Sequence, residues 1–134
     1  MQKYGKNKGD SMKTRILAVD DDNTMLIFIR DTLTAAGYDV TCVTGGQEAI
    51  DILKEQSFDG MILDFYMPGK DAIDVIGSMY TRGDRTPTIV VSSKLTAHHE
   101  AAVQGFVGIT REVLKKPCTA DKLVETVERV IEKI

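Results

Sequence analysis

Paired cysteines, tryptophan, long apolar runs and a basic face are all missing from this chain, and each absence removes a class of function. The only thiols are Cys42 and Cys118, far apart and without the CxxC or Cys/His spacing of a zinc site. They are expected to be buried, reduced thiols in a cytosolic protein. No stretch approaches the roughly 20 apolar residues of a transmembrane helix. Behind the basic N-terminus, the run Ile16 to Val19 falls short of the about 7–15 residues of a secretory apolar region. A cytoplasmic protein without a membrane partner is the expectation. Positive charge is also scarce on the body. The formal charge is −3, yet residues 1–13 carry Lys3, Lys6, Lys8 and Lys13 against Asp10, which leaves the remainder at −6. A nucleic-acid partner needs a basic face, so none is expected. Finally, Gly45-Gly46 has neither the G-x-G-x-x-G nor the Walker pattern of a phosphate-cradling loop.

What is present reads as one folded domain. The 134 residues are too few for two ordinary domains, and 43% hydrophobic content is enough for a real core. Residues 1–12 are polar and aperiodic, and are read as a flexible tail or expression remnant ahead of a domain at 13–134. From there, short β-branched runs alternate with amphipathic stretches. The strands expected are Arg15 to Val19, Tyr38 to Val43, Met61 to Leu63, Thr88 to Val91, and a short one around Glu112 to Lys115.

Helical periodicity fills the gaps. Met25, Leu26, Ile29 and Leu33 share one face, with Gly37 as the stop. Ala49, Ile50 and Leu53 mark a second helix, and Ile73, Val75, Ile76 and Met79 a third, capped by Asp71 or a neighbour. A fourth covers 97–105, and a fifth from about Ala120 aligns Leu123, Val124, Val127, Val130 and Ile131. Strict β–α alternation implies an α/β fold, a parallel sheet with helices on both faces. Its strands should be continuously apolar, as ILAV, MIL and TIVV are.

In such folds ligands bind beyond the carboxyl ends of the strands. Those ends carry Asp20, Asp21 and Asp22 after the first strand and Asp64 after the third. Ser92 and Ser93 follow the fourth strand and Lys116 the fifth. Two unit charges about 4 Å apart repel by about 4 kcal/mol at an effective dielectric of 20. Lys116 balances one charge only, so a hard divalent ion is expected, Mg²⁺ with Mn²⁺ as the alternative. Asp64 then offers a carboxylate nucleophile for a phosphoryl group. Lys116 and the Ser92 hydroxyl would stabilise its oxygens. His98 and His99 are read as solvated helix residues with no part in this chemistry.

The segments ILAVDDD at 16–22, MILDFYMPGKD at 61–71, VVSS at 90–93 and KKP at 115–117 together resemble the response-regulator receiver family of two-component signalling, chemotaxis-type receivers included. The likeness covers about 14–134. It implies a flavodoxin-like sheet of five strands in the order 2-1-3-4-5. It also implies Asp64 as phosphoacceptor and Asp20 and Asp21 as the Mg²⁺-holding pair, with Asp21 direct and Asp20 acting through water. The backbone carbonyl of Tyr66 would be a further ligand, Ser92 the hydroxyl that senses the phosphoryl group, and Lys116 the lysine that contacts it.

The donor implied is a histidine kinase or phosphotransfer protein, and the output is binding to a protein target not identified by the sequence. Enzymatic turnover is not expected beyond self-phosphorylation and autodephosphorylation. The chain departs from the resemblance at Ala72, where glycine is frequent. It departs again at Val113, where an aromatic residue commonly stands, and in a stretch 105–111 that looks lengthened. An atypical fourth helix and following loop are therefore expected. Tyr66 and Lys94 flank the expected phosphoryl position, and the bulky Tyr66 is expected to shield it from water. Two other readings compete: a fragment of a hybrid kinase or longer regulator, and a Mg-dependent phosphohydrolase. The hydrolase usually needs a second acid two residues past the nucleophile, where this chain has Tyr66.

Overall fold

A computed structural model describes residues 13–94, 96–106 and 108–131; the expected tail at 1–12 lies outside the described residues. The elements alternate as expected: β1 (Arg15–Val19), α1 (Asn23–Ala35), β2 (Asp39–Val43), α2 (Gly46–Glu55), β3 (Gly60–Asp64), α3 (Ala72–Arg82), β4 (Thr88–Ser92), α4 (Ala97–Gln104), β5 (Thr110–Lys115) and α5 (Ala120–Val130). All pairings are parallel, in the order β2-β1-β3-β4-β5. The order reverses between β1 and β3, which places a crevice between their carboxyl ends.

The strand period of two divides the core. Leu17, Val19, Met61, Leu63 and Val90 face one way and pack against α2, α3 and the single buried residue of α4, Val103. Ile16, Ala18, Ile62, Ile89 and Val91 face the other way, against α1 and α5. Every residue of β3 and β4 is buried. Each such aliphatic side chain contributes about 1.5–3 kcal/mol by leaving water, so the central strands are the most firmly held and whatever terminates them is rigidly placed.

Local chemistry sets the loops at the crevice. Asp22 accepts from the Thr24 amide at 3.0 Å and caps α1, so the third acid of the run serves the helix. Asp71 and Asp74 form a reciprocal capping box at the start of α3 (3.0 and 3.1 Å). Gly46 has a packing reason: a Cβ there would run into the Lys70 backbone carbonyl, so glycine lets α2 start directly against the loop after β3.

Two expectations are corrected. β5 begins at Thr110 rather than near Glu112, because Thr110 pairs with Thr88 before the register shifts and Ile89 pairs with Glu112. The last two residues of the stretch 105–111 are thus strand, with Arg111 taken up as a bulge. Cys42 and Cys118 are half-buried rather than buried, since β2 is an edge strand and Cys118 lies beyond the end of β5. Burial still pushes both thiols up, against the opposing charge of Arg30 at Cys42 and a backbone hydrogen bond and Lys116 at Cys118. The expected apolar faces of α3 and α5 hold, with Ile73 and Val124 half-buried against the core, and α5 also buries Thr126, whose hydroxyl donates to the Lys122 carbonyl at 2.7 Å.

Candidate functional site

Asp20 follows β1 and is 1% exposed. Its amide donates to the Val43 carbonyl (3.3 Å), which holds it between β1 and β2. One carboxylate oxygen accepts from the Asp22 amide (2.9 Å) and the other meets Lys116 Nζ (3.0 Å). Asp64 ends β3, fixed by the Phe65 amide donating to the Val91 carbonyl (3.1 Å) and by the Ala72 amide closing the loop onto the Phe65 carbonyl (3.2 Å). Asp64 Oδ1 lies 3.1 Å from the same Lys116 Nζ. Asp21 is exposed, yet one carboxylate oxygen from each of Asp20, Asp21 and Asp64 lies within 4.8 Å of the others.

Lys116 follows β5, and its amide donates to the Ser92 carbonyl (2.9 Å), so the lysine and the hydroxyl residue are tied through backbone. The Ser92 hydroxyl is buried and accepts from the Lys94 amide at 3.2 Å. Asp20, Asp21, Asp64 and Lys116 therefore converge as expected, with Ser92 beside them.

Three carboxylates face one ammonium, and the imbalance shows in Asp64. Burial first, then the charges of Asp20 and Asp21, outweigh the Lys116 hydrogen bond and charge and raise its pKa from 3.8 to about 6. Burial alone would pull the Lys116 ammonium down. Its hydrogen bonds and charge contacts with Asp20 and Asp64 prevail and hold its pKa above the ordinary lysine value. A donor set of carboxylate oxygens with excess negative charge suits a hard divalent cation. Asp20 has both oxygens engaged within the protein, whereas Asp21 is free to face an ion from solvent.

His99 was missed by sequence reasoning. It is not a solvated bystander: its Nδ1 forms a hydrogen bond of 2.9 Å with the Tyr66 hydroxyl, and its ring centroid lies 4.9 Å from that of Phe65. No local signal could have found this, because the partners are 33 residues apart and only the fold joins them. Among the described residues, the aromatic ring nearest His98 is that of His99, at 5.9 Å. Val113 pairs with Val90 in β5 and is half-buried beside a cavity of about 230 Å³ lined by Ser92, Glu100, Leu114 and Lys115.

Comparison with known proteins agrees with this geometry. The family model described as the response regulator receiver domain matches residues 16–128. This chain belongs to that receiver family. It is 32% identical over 116 residues to the sensory/regulatory protein RpfC of Xanthomonas campestris pv. campestris, covering 84% of this chain and 16% of that protein. It is 30% identical over 113 residues to the response regulator MprA of Mycolicibacterium vanbaalenii, covering 84% of this chain and 48% of that one. The chain thus spans about half or less of these curated relatives.

Among solved structures it is similar to the receiver domain of the Pseudomonas aeruginosa sensor histidine kinase PA1611, which holds a magnesium ion in its active-site cleft (TM-score 0.78, 25% identity, 89% of this chain and 98% of that one). The fold is also that of the Vibrio cholerae chemotaxis protein CheY4 (TM-score 0.80, 24% identity, 88% and 98%). The receiver is a domain of two-component signalling, and the expected sheet order holds. The hydrolase reading is not favoured. Among the described residues no helix is long and apolar enough to cross a membrane.

Proposed function

We propose that residues 13–134 act as a phosphoryl-accepting switch charged at Asp64. The observation that carries this reading is the convergence of Asp20, Asp21 and Asp64 within 4.8 Å, with Lys116 Nζ 3.0–3.1 Å from the two buried members. The phosphoryl donor is a phosphohistidine on a histidine kinase or phosphotransfer protein. An Asp64 carboxylate oxygen attacks phosphorus in line with the P–N bond. A P–O bond forms as the P–N bond breaks, and its electron pair returns to the imidazole. Hydrolysis later releases inorganic phosphate and restores the carboxylate.

A divalent cation, Mg²⁺ by preference, would be held by Asp21, Asp64 and the Tyr66 backbone carbonyl, with Asp20 acting through water. It supplies charge neutralisation for the phosphoryl oxygens. Lys116 pairs with a further oxygen as it leaves Asp64, and Ser92 turns its hydroxyl from acceptor to donor. The acyl phosphate carries about two negative charges where the carboxylate carried one, and its output is binding to another protein in the cytoplasm. The same chemistry serves a receiver that stands alone or one within a longer regulator.

Incubation with a small acyl-phosphate donor and Mg²⁺, followed by intact-mass measurement, tests this. One added phosphoryl group is expected, prevented by chelator and by Asp64→Asn. Equal gain in Asp64→Asn would contradict it.

A further inference from the structure

A charge added at Asp64 matters only if another element registers it. Val113 cannot serve as an inward-turning aromatic sensor, and the cavity of about 230 Å³ beside it is open. The aromatic rings near the site belong instead to Phe65, Tyr66 and His99. Phe65 directly follows Asp64 and is 1% exposed. Its ring meets that of Tyr66 edge-on at 4.7 Å and that of His99 at 4.9 Å. Tyr66 and His99 are nearly perpendicular, at 5.7 Å and 83°, and share the 2.9 Å hydrogen bond.

His99 stands in the first turn of α4, where its amide donates to the Thr96 hydroxyl cap at 3.1 Å. The rest of α4 is lightly held, since Val103 is its only buried residue. A short helix with one buried anchor lies at the low-stability end of a fold. A side-chain tether at its first turn therefore weighs heavily on where it sits.

We infer that the Phe65–Tyr66–His99 cluster passes the state of Asp64 to α4, with His99 as the positioning residue on the receiving side. This rests on the proposed phosphorylation of Asp64. Phosphorylation brings three oxygens and extra charge to a residue one peptide away from Phe65 and two from Tyr66. The loop backbone must re-aim to meet them. Tyrosine has only two side-chain torsions before its hydroxyl, so a backbone shift at Tyr66 moves its hydroxyl relative to His99. The bond then either carries α4 along or breaks and frees it; in both cases α4 acquires a second state tied to Asp64.

The experiment compares wild type, His99→Ala, His99→Asn and Tyr66→Phe, with and without an excess of small acyl-phosphate donor and Mg²⁺. Intact mass reports phosphoryl uptake, and amide hydrogen exchange reports residues 97–104 in the phosphorylated molecules. Wild type is expected to change its α4 exchange rate by about fivefold or more on phosphorylation. His99→Ala and Tyr66→Phe should lose most of that change. His99→Asn, whose amide can occupy the Nδ1 position, should recover part of it. A wild type that gains no mass would sink the phosphorylation reading itself. A wild-type response preserved in His99→Ala and Tyr66→Phe would overturn this inference alone.

Discussion

Lys116 Nζ lies 3.1 Å from Asp64 Oδ1 while holding Asp20 at 3.0 Å with the same three protons. One ammonium from the end of β5 thus spans the acids that end β1 and β3, across the point where the strand order reverses.

Removing that ammonium leaves two buried carboxylates facing each other. Breaking a fully buried ion pair costs about 3–5 kcal/mol. Lys116 retains 20% side-chain exposure, so Lys116→Met is expected to lose about 1–3 kcal/mol of stability at neutral pH. The denaturant midpoint in chelator checks this. Addition of Mg²⁺ should restore part of the loss, because a divalent ion replaces the missing positive charge.

The raised Asp64 pKa fixes the sign of a pH dependence. The folded protein holds this proton up to about pH 6, whereas the ordinary value is 3.8. Between those values the folded state binds more protons than the unfolded one, so stability falls as pH rises through the window and levels off above it. The span corresponds to about 3 kcal/mol at most. Melting curves from pH 3.5 to 7 in chelator should show the fall in wild type, and Asp64→Asn should lack that component. Mg²⁺ should flatten the wild-type curve at its upper end.

The open space beside Val113 makes another expectation specific. A larger side chain in a closed core costs about 1–3 kcal/mol by overpacking. Val113→Phe has a cavity of about 230 Å³ next to it, so the change should stay within about 1 kcal/mol. Its denaturant midpoint should therefore be close to that of wild type. A loss in the overpacking range would mean that the ring cannot enter.

Tyr66 is 43% exposed and bonded to α4 through its hydroxyl. Tyr66→Asn removes both the ring and the tether, and is expected to release phosphate from the acyl phosphate severalfold faster. Phosphate release after removal of excess donor measures it, and equal lifetimes would remove the shielding role.

How much of this could be read from residues alone depended on burial. β1, β3 and β4 were legible because a strand covered on both faces must be apolar throughout, and the acids that interrupt those runs were legible for the same reason. The start of β5 was not, because Thr110 and Arg111 lie on an edge strand with a bulge, where polar side chains are tolerated and the period of two is broken. The half-burial of Cys42 was hidden likewise, since edge position is a property of the sheet and not of β2. The Tyr66–His99 bond was invisible because helix periodicity says which residues share a face but not which loop will meet it. The acidic crevice was readable from strand order; its link to α4 required the fold.

Asp64, rather than a neighbouring acid, is the residue proposed to form the acyl phosphate. Borohydride reduction after charging with a small acyl phosphate and Mg²⁺ converts an aspartyl phosphate into homoserine, which peptide mapping locates. Homoserine is expected at position 64, absent in chelator and in Asp64→Asn. Homoserine at position 20 or 21 instead, or none in a protein that has gained phosphoryl mass, would contradict it.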